Sequence, residues 1–109
     1  MSFDPELANR IRALLGDRAE DEKKVFGGLA FMIGGNMAIA ASSNGGIIVR
    51  VDPAESAELV ATTPAQLLEM RGRTMGGWLR LAHEDVADDA ALTPWVERGA
   101  AYAASLPPK

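Results

Sequence analysis

Residues 25–51 read VFGGLAFMIGGNMAIAASSNGGIIVRV, three short apolar runs separated by glycine-rich breaks. Gly34-Gly35-Asn36 and Asn44-Gly45-Gly46 are residues that enter positive φ at little cost, as tight hairpins demand. The stretch therefore predicts an antiparallel meander. Alternation places Leu29, Phe31 and Ile33 on one face, with Ile39, Ile47, Val49 and Val51 as their core partners. The opposite face carries Ala30, Met32, Ala38, Ala40 and Ile48, small or soft apolar groups with Arg50 as the one charge. Such a face calls for cover, by a helix or by a partner.

Working outward, Asp4-Pro5 is a helix start, because the Asp side chain accepts from orphan amides and Pro at the first position loses no hydrogen bond. Leu7, Ile11, Leu14 and Leu15 give that helix one apolar face, Asn9, Arg10 and Arg12 look outward, and Gly16 ends it. Asp17–Lys24 (DRAEDEKK) has Ala19 as its one apolar residue and reads as a solvated connector or frayed turn. Asp52-Pro53 repeats the start signal for a short helix with Leu59 and Val60 inward, closed before Pro64. A weak strand, Gln66 to Met70, leads through RGRTMGG into GWLRLAH, where Leu79 and Leu81 alternate with Trp78 and Arg80. The C-terminal segment forms a helix with a Leu92, Trp95, Val96, Ala100, Ala103 stripe, broken by Pro107-Pro108. The order α-βββ-α-ββ-α predicts the α+β class: two layers, an antiparallel sheet of about five strands with helices packed on it.

The chain has 109 residues, 11 Lys+Arg against 15 Asp+Glu, net charge −4 and 48% hydrophobic residues, which suits one domain over residues 1–109. Folding hides about two-thirds of the unfolded surface within a radius of gyration of roughly 13 Å. No cysteine is present, so disulfides, thiolate nucleophiles and Cys-type zinc sites are excluded. The N-terminus lacks a secretory pattern, and no apolar run approaches the roughly 18 residues that span a bilayer. The expectation is a soluble cytoplasmic protein without cofactor, and the acid excess with no basic amphipathic stripe argues against a membrane surface.

Candidate chemistry is sparse. His83, the one histidine, stands beside Glu84 and Asp85 and could serve as a general base, but as a strand-end residue it reads more simply as a surface group. Ser42 and Ser43 lack a G-x-S-x-G elbow. Glu84, Asp85, Asp88 and Asp89 lack EF-hand spacing and suit a solvated loop ending in a helix cap. The glycine pairs match neither phosphate-binding pattern and fit turns and bulges. Gly27-Gly28, inside an apolar run, calls for a bulge or a close backbone approach, the latter being a docking site. Arg71, Arg73 and Arg80 bracket Met75 and Trp78, a combination able to grip phosphate and stack a base. Residues 53–80 nevertheless balance 3 basic against 3 acidic groups in an acidic chain, which counts against direct nucleic-acid binding. The simpler reading is an exposed hairpin whose arginines pair with carboxylates.

The runs KKVFGGLAFMIGGNMAIA, IIVRVDP, RGRTMGGWLRL and DDAALTPWVERGAAYAASLPPK together resemble the TfoX/Sxy N-terminal domain family over residues 4–107. The matching positions are Phe26, Gly27, Gly28, Phe31, Gly35, Met37, Arg50, Met75, Gly77, Trp78, Trp95 and the tail from Tyr102 to Pro107, with Val25 where Met is usual. The resemblance implies a small α+β domain similar to secretion-chaperone-like two-layer folds. It also implies a regulator linked to natural competence that acts with a transcription factor of the cyclic-AMP receptor type, with no catalytic residues. Longer family members add a helical C-terminal domain, so a stand-alone N-terminal domain is expected here.

The expected function is thus a non-enzymatic protein-interaction domain docking through Gly27, Gly28, Arg71, Arg73, Met75, Trp78 and Arg80. The alternatives are direct DNA or RNA binding through the Arg71–Arg80 hairpin, and an enzyme or small-molecule binder using His83. A homodimer is the expected state, since sheet edges and the Ala/Met face could pair between copies, although the C-terminal helix could cover the same features in a monomer.

Overall fold

The computed structural model describes residues 3–25, 27–70 and 72–108, with the backbone alone at Met70. Helix α1 (Pro5–Leu15) is followed by strands β1 (Asp21–Val25), β2 (Gly28–Ile33), β3 (Asn36–Ala41) and β4 (Ile47–Arg50). Helix α2 (Ser56–Thr62), strands β5 (Gln66–Met70) and β6 (Arg73–Leu81) and helix α3 (Asp89–Ser105) complete the chain. The strands form one antiparallel sheet in the order β1-β2-β3-β4-β6-β5, with a radius of gyration of 12.6 Å. The α+β class is as expected, with six strands where about five were predicted.

The extra strand is β1. Four of its five residues are charged and exposed, so it has no apolar alternation to betray it. It lies at the sheet edge, where charge discourages pairing with another chain. Its register with β2, Val25 opposite Gly28, makes Gly27 part of a tight turn with φ 79°. The run from Val25 to Ile33 is therefore two strands and a turn. Arg12 of α1 ties β1 down through two bonds to the Glu22 carboxylate, at 2.6 and 2.9 Å. The Arg12 guanidinium also lies 5.7 Å from the centre of the Phe31 ring.

The core lies between the sheet and α1 and α3, where Leu7, Ile11, Phe31, Ile39, Ile47, Val49, Leu79, Leu92 and Val96 are essentially inaccessible. Burying each such side chain contributes about 1.5–3 kcal/mol. Asp4 and Asp88 cap α1 and α3, accepting from the amides of Glu6 at 3.0 Å and Ala91 at 2.8 Å. Gly99 adds a contact absent from the expected α3 stripe. A Cβ there would stand 2.4 Å from the Ala38 oxygen and 2.9 Å from Val49, so the bare glycine lets α3 settle against β3 and β4.

Two expectations about faces are corrected. Phe31 pairs with Ile39 but Met32 pairs with Met37, so Ala38 is a bulge residue and turns into the core instead of the opposite face. Arg10, expected to look outward, is only 20% exposed and bridges α1 to α3 through Asp89 at 2.8 Å.

Candidate functional site

The second irregularity of the sheet builds the site. Leu67 pairs with Leu79, but Leu68 pairs with Met75, leaving Gly76, Gly77 and Trp78 without partners on β5. Gly77 carries the kink at φ 84°: its amide donates to Ser56 Oγ at 2.7 Å and its carbonyl accepts from the Val51 amide at 2.8 Å. A Cβ on Gly77 would stand 2.9 Å from both the Val51 oxygen and Pro53. Gly76 has nothing closer than 4.0 Å, so the geometry depends on the second glycine of the pair. Beyond the kink, Leu68 and Met75 share the wall of one cleft with Val25, which belongs to the opposite edge strand. The sheet is thus strongly curled, and its concave face is the one turned away from α1 and α3.

This cleft has a volume of about 340 Å³. Its floor is Gly28, Ala40, Ala41 and Ile48, and its walls are Val25, Met37, Leu68, Met75 and Trp78, with Ser42 and Ser43 supplying the hydroxyls. Gly28 is there for a backbone reason, since a Cβ would fall 2.3 Å from the Ala41 oxygen. Small residues on the floor leave the room, and two methionines make adaptable walls. Trp78 packs against Arg50, whose guanidinium lies 5.0 Å from the Trp78 ring centre and 5.8 Å from that of Tyr102 on α3.

Strand register assigns the charges of this face. Ile48 pairs with Ala40 and Arg80, Ala40 with Ala30, and Ala30 with Lys23, so Lys23 and Arg80 share the cleft's side of the sheet. Arg50 pairs with Trp78, Arg73 lies two residues from Met75, and Asp21 pairs with Met32, opposite the cleft residue Met37. Among the described residues the concave face therefore bears four cations and one anion, on a chain of net charge −4. The five ion pairs of the described residues, Arg10–Asp89, Arg12–Glu22, Arg18–Glu97, His83–Asp4 and Arg98–Glu55, use none of those cations. The Arg12 and Arg18 hydrogen bonds hold the Glu22 and Glu97 carboxyls below their ordinary range.

Of the residues expected to dock a partner, Gly28, Met75 and Trp78 meet in the cleft, although 47 positions separate Gly28 from Met75. Gly27 forms the exposed turn beside it. Arg73 is exposed on the same face, and Arg80 donates to Gln66 Oε1 at 2.7 Å, a neutral partner where a carboxylate was expected. Arg71, like Phe26, lies outside the described residues. Met37, Ala40, Ile48 and Leu68 complete the cleft. Ala40 and Ile48 were legible as a soft outer face, whereas Met37 joins them only through the bulge and Leu68 only through the kink.

The other candidates disperse. His83 is exposed, with Nε2 3.2 Å from Asp4 Oδ2. Asp88 caps α3, Asp89 pairs with Arg10, and no group of three or more His, Asp or Glu converges among the described residues. A larger hollow of about 530 Å³ between Asp52, Glu55 and α3 is lined by Glu55, Glu97 and Arg98, all engaged in ion pairs. No helix of the described residues is long and apolar enough to cross a membrane.

No curated protein and no solved structure matches the chain. A family model, the TfoX N-terminal domain, matches residues 18–103, a span that runs from the turn before β1 into the last helix and holds both glycine motifs and the whole cleft. With 109 residues in all, the chain belongs to the TfoX N-terminal domain family.

Proposed function

We propose that this chain is a non-enzymatic regulatory domain that works by binding a protein partner in the concave cleft. One observation carries the reading: both glycine motifs serve to shape an apolar hollow of about 340 Å³ on the face that the helices leave bare. A hollow of this size and lining takes up apolar side chains, and displacing its water is favourable. The absence of a nucleophile, base and orienting group brought together at any point of the described residues supports a binding role over catalysis. By the family resemblance, the partner is a transcription factor of the cyclic-AMP receptor type, the setting is the cytoplasm and the process is competence regulation.

The test is affinity capture from cytoplasmic extract with the wild-type chain, Met75→Asp and Trp78→Ala, each with and without nuclease. A specific protein retained after nuclease and lost in both variants is the expected result. Equal capture by all three chains would overturn the cleft assignment. Recovery of nuclease-sensitive material alone would favour direct nucleic-acid binding, which the four cations of this face also permit. That reading further requires affinity for duplex DNA to fall steeply with salt. Sedimentation of the purified chain decides whether a second copy occupies the face: a dimer that Met75→Asp dissociates would make the homodimer the occupant.

A further inference from the structure

We infer that the segment received by the cleft is acidic as well as apolar: a stretch of a protein partner whose bulky apolar side chains enter the hollow while flanking carboxylates meet Arg73, Arg80 and Lys23. This rests on the protein-binding reading of the cleft and goes further by naming the chemistry of what binds.

Charge distribution carries the argument. Among the described residues every arginine off the concave face is engaged, Arg10, Arg12, Arg18 and Arg98 each pairing with a carboxylate of α3, β1 or the turn before α2. On the concave face cations outnumber acids, and Lys23, Arg73 and Arg80 share by register the face of the apolar cleft, with no carboxylate bonded to them among the described residues. Arg50 is committed to the Trp78 and Tyr102 rings and acts mainly by holding Trp78 in place. Asp21, the one acid of the face among the described residues, stands on the edge strand β1 two residues from Lys23, so Arg73 and Arg80 on the opposite side carry most of the unpaired positive charge. A chain of net charge −4 repels acidic partners at long range, so a cationic rim on one face selects which face such a partner approaches. Arg73 and Arg80 also offer planar forks that suit carboxylates.

The same observations separate a peptide from a nucleic acid. Single strands are bound on several aromatic platforms, whereas among the described residues Trp78 is the one aromatic side chain lining the cleft. The floor is aliphatic, a surface that apolar side chains cover with gain and phosphates do not.

Selection of a random twelve-residue peptide library displayed on phage against the wild-type chain tests the proposal directly. Enriched sequences should combine Leu, Ile, Phe, Met or Trp with Asp or Glu. The best of them, made as a labelled peptide, should lose at least tenfold in affinity on Arg73→Glu/Arg80→Glu, both exposed positions. Its Asn/Gln analogue should be indifferent to that double variant, and Met75→Ser should weaken both peptides. Apolar peptides without acidic bias, still dependent on Met75, would overturn the charge inference and leave the cleft reading standing. Peptides indifferent to Met75→Ser, or no enrichment at all, would overturn it too, and the capture experiment then judges the cleft reading by itself. A labelled twelve-base-pair duplex that binds as tightly as the best peptide, and responds to the same double variant, would replace the acidic segment with nucleic acid.

Discussion

The two faces of the sheet are made by the same strands and have opposite fates. On the helix side, Phe31, Ile39, Ile47, Val49 and Leu79 are branched or aromatic and fully inaccessible, under α1 and under α3, which the bare Gly99 brings close to β3 and β4. On the concave side, Ala30 and Ala40 are equally inaccessible, yet the residues around them are Met37, Ile48, Met75 and Trp78, all half-buried. One face is filled by packing, whereas the other is folded over itself without being filled. Burial alone therefore does not mark a core; what distinguishes the two is whether the neighbours are rigid and touching or flexible and standing around a gap.

Adjacent isoleucines test this contrast. Ile47→Ala should cost about 3–4 kcal/mol in urea unfolding, since it empties a packed site, whereas its neighbour Ile48→Ala, on the half-open face, should cost about 1 kcal/mol. Equal costs would show that the concave face is packed as tightly as the other. The glycine pair of β6 gives a second contrast. Gly77→Ala should cost about 2–3 kcal/mol, from the positive φ and contact with Val51 and Pro53, and should abolish capture of the partner. Gly76→Ala should change stability by less than about 0.5 kcal/mol and leave binding intact. For the rim, Trp78→Ala should remove partner binding with native circular dichroism retained.

The smallest effect concerns the exposed ion pairs of the filled face. Glu22 and Glu97 have carboxyls lowered by their arginines, so the stabilisation is fully present above the ordinary carboxylate pKa of about 4 and is lost as pH falls through the depressed values. Glu22→Gln should cost less than about 1 kcal/mol at pH 7 and should flatten the stability curve only below about pH 4. A loss of stability between pH 7 and 5 that disappears in this variant would contradict the assignment.

Much of the packed face was readable because its signals are local. Asp4-Pro5, Asp52-Pro53 and Asp88 announced helix starts, the Gly-Gly-Asn and Asn-Gly-Gly breaks announced hairpins, and alternation from Leu29 to Val51 named the inward side chains. Ala38 was placed on the wrong face because a bulge shifts the two-residue period by one, and nothing in MAIAA marks where that occurs. Gly99 passed as a gap in the helical stripe because its role is set by the Ala38 oxygen, 61 positions earlier in the chain.

The cleft divides along the same line. Periodicity and glycine placement, by themselves, determined the α+β class, the two helix-facing stripes and the interest of both glycine pairs, because each depends on what a residue does to its immediate backbone. Only the tertiary structure decided that Asp21–Val25 is an edge strand, that Gly28 and Met75 share one cleft, and that cations without a carboxylate partner lie on the face of that apolar hollow. Those facts depend on pairing register and sheet curl, which arise from contacts between segments remote in the chain and leave no period in any one of them.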